Sequence, residues 1–191
     1  MYELPTQVDI CGVEYKIRND GDYRMVLDAF SALNDFELEK KERILTALLI
    51  FYDGMTSLED VLALPDLDEA TKQMFEFFNA GRPESTGPNR KLIDWDGDSA
   101  MIVSAINQVA GKEVRAESYM HWWTFMGYYS AIGESTLSTV VSIRDKIMKN
   151  KKLEKWERQF RIENPQYFNW DYKSADDKEA DEWLKSVWNK E

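Results

Sequence analysis

Near the start of the chain, apolar and polar side chains alternate. Val8, Ile10, Val13, Tyr15 and Ile17 are apolar, with Asp9, Glu14 and Lys16 between them. A period of two reads as strand, and Cys11-Gly12 stands where the chain has to turn. A small hairpin of residues 6–10 and 13–17 is therefore predicted. A lone hairpin is marginal in water, so this one must pack on something.

Beyond Asp20 the period lengthens to that of a helix. Tyr23, Val26, Leu27, Phe30 and Leu33 fall on one face. A second helix is expected from Asp35 through Ile44, Leu45, Leu48 and Leu49 to Tyr52, with Asn34 and Asp35 as caps and Gly54 past its end. Ser57, followed by Glu59 and Asp60, opens a short helix that stops before Pro65. Asp66 or Asp68 opens the next, which carries Met74, Phe75, Phe77 and Phe78 and has Gly81 after it. Residues 81–91, GRPESTGPNRK, hold two Gly and two Pro and read as a loop or linker.

After this break a helix is expected from about Asp96. Met101, Ile102, Ala105, Ile106 and Val109 form its stripe and Gly111 stops it. Residues 117–132 read as a helix with aromatic side chains nearly all round it (Tyr119, Trp122, Trp123, Phe125, Tyr128, Tyr129), hence buried centrally. Ser135 caps a helix containing Leu137, Val140, Val141, Ile143 and Ile147. Residues 144–163 alternate in charge along a helix broken or bent near Asn150 and stopped at Asn164-Pro165. Residues 174–190 repeat Ala180, Trp183, Leu184, Val187 and Trp188 at helical spacing, as a short amphipathic helix.

The fold class that results is mainly α: a small N-terminal β-hairpin followed by a compact multi-helix bundle. Its parts are residues 1–80 (hairpin plus helices), 81–91 (loop or linker), 92–163 (an aromatic-rich helical core with a basic helix) and 164–191 (the C-terminal amphipathic helix). All four can belong to one domain.

Composition narrows the function. The 191 residues are 43% apolar and 13% aromatic, a globular balance. A chain of this size buries roughly 70% of its unfolded surface, enough for a core without staples. Against 24 Lys and Arg stand 35 Asp and Glu, a net charge of −11. Such a chain is repelled by a phosphate backbone, which speaks against nucleic acid as a partner. One cysteine, Cys11, cannot form an internal disulfide, which fits a reducing compartment. MYELPTQVDI has neither the basic nor the apolar region of a signal peptide, and the longest apolar run falls far below the ~20 residues of a membrane helix.

The search for catalytic chemistry returns little. One His and one Cys cannot build an ordinary zinc site. His121, among Tyr119, Trp122 and Trp123, reads as an interior ring hydrogen-bonded to a neighbour. There is no G-x-S-x-G elbow, P-loop or G-x-G-x-x-G motif. Asp94, Asp96 and Asp98 alternate as a calcium loop would like, but the sixth position is Ser99 and the twelfth Ala105, not the Gly and Glu of an EF-hand. They read as acids at a helix start, favoured by the helix dipole. No catalytic residue, metal ligand or cofactor site is expected.

Two features point to binding instead. The block 119–129 reads as packed core, or as a groove for a partner, since Trp and Tyr dominate binding hot spots. Residues 144–163 carry +4 in a chain that is otherwise acidic, which suits either a salt-bridged helix or a basic docking surface. The candidate partner-binding residues are Trp122, Trp123, Phe125, Arg144, Lys151 and Lys152.

One succession of motifs is distinctive. Leu92-Ile93-Asp94-Trp95 leads to Gly111-Lys112-Glu113-Val114-Arg115, then His121-Trp122-Trp123-Thr124-Phe125, Ser142-Ile143-Arg144-Asp145-Lys146 and Lys151-Lys152-Leu153-Glu154-Lys155. Over most of residues 1–163 this resembles the bacteriophage gene-product-fifteen family of tailed phages and prophages. The resemblance implies a gene in the tail module, just before that of the tape measure protein, and a role similar to tail assembly chaperones. It implies a mainly helical, non-enzymatic protein of the host bacterial cytoplasm. The tape measure protein would be its partner, with a second small tail assembly chaperone and tail tube subunits as further ones, and neither nucleic acid nor membrane. The alternative is a structural tail component, such as a tube-end or initiator subunit. A metal-dependent hydrolase built on Asp94, Asp96 and Asp98 is the enzymatic contender.

Overall fold

The structure, a computed structural model, describes residues 3–82 and 92–168. Two strands, β1 (Gln7–Ile10) and β2 (Val13–Lys16), form the expected antiparallel hairpin, with Ile10 opposite Val13. Its two-residue turn places Cys11 at φ 54° and Gly12 at φ 85°. Such left-handed pairs match the twist of the flanking strands, and the Asp9 carboxylate accepts the Gly12 N–H at 3.0 Å.

Eight α-helices follow among the described residues: α1 (Tyr23–Leu33), α2 (Lys40–Phe51), α3 (Leu58–Leu62), α4 (Leu67–Phe78), α5 (Ser99–Ala110), α6 (Trp122–Ser130), α7 (Thr136–Met148) and α8 (Lys155–Glu163). The protein is mainly helical with one N-terminal hairpin, as the periodicity implied. Ser57 and Ser135 head capping boxes, with Asp60 and Ser138 closing them, and Asp66 caps α4. Gly111 ends α5 in the left-handed conformation, at φ 68°.

Three boundaries differ from the sequence expectation. Helix α2 begins at Lys40, not Asp35, because Glu39 and Glu42 form the capping box there, while Asn34 terminates α1 and the Asp35 carboxylate holds a turn at the Glu37 N–H. Helix α5 begins at Ser99 because the Asp98 side chain is committed elsewhere and does not cap it. Helix α6 begins only at Trp122, and residues 117–121 before it are not helical. The expected break near Asn150 is a left-handed residue, at φ 52°, between α7 and α8. Most of the 81–91 loop and the expected 174–190 helix lie outside the described residues.

The chain gathers into two compact units that are not consecutive in sequence. In the first, residues 117–126 join the hairpin and α1–α4. Its core holds Ile10, Ile17, Val26, Leu48, Phe51 and Met74, each fully buried. Arg18 locks the end of α2: its guanidinium donates to the carbonyls of Leu49, Ile50, Tyr52 and Met55 at 2.7–3.0 Å. These are the acceptors that a helix C-terminus leaves without partners. The second unit comprises α5, the last turn of α6, α7, α8 and the 3-10 turn Pro165–Tyr167. In it α5 packs on α7 around Ile106, Val114, Val140 and Ile143, all fully buried.

Candidate partner-binding surfaces

The aromatic block is anchored by one carboxylate. Asp22 caps α1 through the Arg24 N–H at 2.9 Å, pairs with the Arg24 guanidinium and accepts the Met120 N–H at 2.9 Å. The Tyr23 N–H returns a bond to the Met120 carbonyl, and Arg24 reaches the Glu117 carbonyl at 2.6 Å. These bonds, with the bridge between Asp22 and His121, hold residues 117–121 on the start of α1, and helix α6 begins at the next residue.

From there Trp122 and Phe125 enter the core, each 1% exposed. Phe125 stacks on Tyr23 at 4.5 Å between ring centres, and Trp122 stands edge-on to Phe30 at 5.7 Å. The Trp122 indole N–H donates to the Phe78 carbonyl and that of Trp123 to the Phe77 carbonyl, at 2.9 and 3.0 Å. The last turn of α4 is thereby supplied with the donors it lacks. Truncating a packed Trp of this kind to Ala costs about 3–5 kcal/mol. Trp123 is half-buried, whereas Tyr119 is 47% exposed.

His121 is an interior ring with both nitrogens used. Its Nδ1 accepts the Trp123 N–H at 3.0 Å, which leaves the proton on Nε2 to be donated to the Pro5 carbonyl at 2.9 Å. Burial pulls its pKa below the ordinary value, against the opposing effects of the Pro5 carbonyl and Asp22. Gly21 makes room for it. At φ +79°, a Cβ there would stand 2.7 Å from the Phe77 ring and 3.0 Å from His121 Nε2.

In the second unit Arg144, expected on a docking surface, is 4% exposed. It donates to both oxygens of Asp98 at 2.5 and 2.9 Å, to the Leu92 carbonyl at 3.0 Å and to the Tyr167 carbonyl at 2.7 and 3.1 Å. One guanidinium therefore clasps both ends of the unit's described chain. The Asp98 carboxylate also takes the Asp94 N–H at 3.0 Å. The most buried acid of the 94–98 cluster thus serves an ion pair, where the sequence suggested a helix-start charge. Removing the arginine would leave that carboxylate buried without its counter-charge, at a cost of about 3–5 kcal/mol. Among the described residues no group of three or more His, Cys, Asp or Glu is placed to hold a metal ion.

Of the six residues singled out from the sequence, three are interior, Trp123 is partly accessible, and Lys151 and Lys152 are exposed. The latter two stand in the α7–α8 corner, which the Lys146–Glu157 pair braces at 2.6 Å. Lys146 holds the Glu157 carboxyl below its usual range. A second accessible feature was not foreseen. A cleft of about 430 Å³ opens between α5 and the start of α7, lined by Ala100, Met101, Ser104, Gln108, Leu137 and Tyr167. Its only sequence signal is the row Ala100, Ser104 and Gln108, one helical turn apart on α5 and small at its first two places.

The second unit thus carries a shallow cleft and a charged corner on its surface. The family model described as Bacteriophage Gp15 protein matches residues 1–168. The chain belongs to this family. Membership in the Gp15 family makes it a phage structural or assembly protein. The match takes in both the Asp22–His121 junction and the Arg144 clasp, and stops at the last described residue. No curated protein and no solved structure matches the chain. Among the described residues no helix is long and apolar enough to cross a membrane.

Proposed function

We propose that this protein is a tail assembly chaperone that binds the helical tape measure protein in the host cytoplasm and assists assembly of the tail tube, without enzymatic activity. Membership in the Gp15 family over 168 residues carries this reading. The cleft between α5 and α7 supports it. Its volume is of the order of a ligand pocket, and the short side chains of Ala100, Ser104 and Ser135 stand in its walls beside Met101 and Leu137. Short side chains let a partner helix approach closely, with one of its large apolar residues seated below, as in helix-in-groove recognition. A second small chaperone and the tail tube subunits are the further partners proposed.

Co-expression with the tape measure protein tests this. The tape measure, insoluble alone, is expected to become soluble and to co-elute with this chain on size exclusion. Ser104→Trp fills the cleft from an exposed helical position, and co-elution should fall while circular dichroism stays unchanged. A tape measure that behaves identically with and without this chain would sink the proposal. Detection of the chain at fixed copy number in purified virions would instead favour a tube-end or initiator subunit.

A further inference from the structure

Two exposed patches of opposite charge each carry an apolar pair. On the first unit, residues 53–69 contain six acids and no Lys or Arg. Among them Leu58 and Leu62 stand one turn apart on α3 and are 42% and 53% exposed. Asp53, Glu59, Asp66 and Asp68 beside them are exposed as well. On the second unit, residues 149–163 contain six bases and three acids, and one of those acids, Glu157, is buried on Lys146. Here α8 presents Trp156 at 57% and Ile162 at 71% exposure, with Lys151, Lys152, Arg158 and Arg161 exposed around them. Single exposed apolar side chains are ordinary on a protein surface. These two pairs differ in that acids predominate around one and bases around the other.

We infer that the α7–α8 corner of one copy of this chain docks on the α3 face of a second copy, head to tail. Each of the four apolar side chains is exposed, and a second copy offers each patch a surface of the opposite charge. Apolar contact at the centre with a complementary charged rim is the ordinary anatomy of a protein interface. The opposed charges steer the encounter and set its register. Nucleic acid fits less well, because a chain of net charge −11 is repelled by phosphates and the acidic α3 face would have no counterpart. Each copy in such a contact keeps one patch unused. The contact therefore either closes into a ring or continues as an open string. The inference uses neither the α5–α7 cleft nor the tape measure protein, and stands or falls apart from the function proposed above.

Sedimentation velocity on the full-length protein, alone, tests it. At an ionic strength of about 0.01–0.1 M the sedimentation coefficient is expected to rise with concentration. At about 1 M, where the Debye length shrinks to ~3 Å, the dissociation constant should rise at least tenfold. Two charge-reversed variants decide the geometry: Lys151→Glu with Lys152→Glu and Arg158→Glu, and Glu59→Lys with Asp68→Lys. Each alone should stay monomeric. Mixed in equal amounts they should form a one-to-one dimer and grow no further, since one retains only the acidic patch and the other only the basic patch. Trp156→Ala and Leu62→Ala, which leave every charge in place, should each weaken self-association too, and circular dichroism confirms that all variants remain folded. A wild-type chain that is monomeric at low salt, an association that both charge variants retain, or a mixture that stays monomeric would each overturn the inference.

Discussion

At the scale of single residues, the side chains that matter most are those whose polar atoms are all spent inside. His121 is one, and its environment makes a titration prediction. The folded ring is held neutral by burial, while in the unfolded chain it takes up a proton as the pH falls through about 6.5. Below that value the unfolded state binds more protons, so the contribution of His121 is complete above about pH 6.5 and is lost as the pH falls towards the folded value. The thermal midpoint should therefore drop between about pH 7.5 and about pH 5.5. His121→Phe starts lower, with the Pro5 carbonyl and Trp123 N–H left without a partner, but should lose less over the same interval. An equal loss in both proteins would show that other groups govern the acid response. The role of His121 was legible, since a lone imidazole between large aromatics has few alternatives to an interior. The role of Arg144 was not. It is one of eight bases in residues 144–163, and its partner Asp98 lies 46 positions upstream. Local pattern carries no mark of a pairing made at that distance.

At the scale of elements, the helices obey their caps more closely than their apolar stripes. Ser135 and Ser138 exchange hydrogen bonds with each other's backbone N–H at 3.1 and 2.9 Å. Ser135→Ala should lower stability by about 1 kcal/mol, read as a shift of the urea midpoint at constant slope. Ser142→Ala, an exposed position inside the same helix, should cause no loss, because alanine is the better helix former. Equal effects at the two positions would remove the cap from the account. Caps of the Ser type were readable in advance at Ser57 and Ser135. The start of α2 was misplaced because three acids, Asp35, Glu37 and Glu39, offered themselves in five residues. Which of them caps depends on Glu42 reaching back to Glu39, and not on the residue type alone. The stretch 117–121 was read as helix for a similar reason. Its composition suits a helix, and the bonds that hold it against α1 come from Asp22, Tyr23 and Arg24, more than 90 residues away.

At the scale of the whole molecule, the described part of the first unit is assembled from two pieces of chain that are separated in sequence. Residues 117–126 bring it Trp122 and Phe125, the hydrogen-bond partners of Asp22, and the ring that meets Pro5. A fragment of residues 1–82 should therefore show no cooperative thermal transition by circular dichroism, and a fragment of residues 1–126 should regain one. A sharp transition in the shorter fragment would mean that the hairpin and α1–α4 are sufficient by themselves. The apolar pattern gave the helices and the hairpin, but it could not give this topology, because nothing in residues 1–82 names the later segment they await. The same arrangement has a consequence for synthesis. His121 leaves the ribosome 116 residues after Pro5, which at about 5–20 residues per second is a delay of roughly 6–23 s. Throughout it the apolar surface around Tyr23, Phe30 and Phe78, which Trp122 and Phe125 will cover, stands open to neighbouring nascent chains. Codons that slow translation between residues 82 and 121 lengthen this exposure, so the yield of folded protein depends on the tempo of the message as well as on the amino acids it encodes.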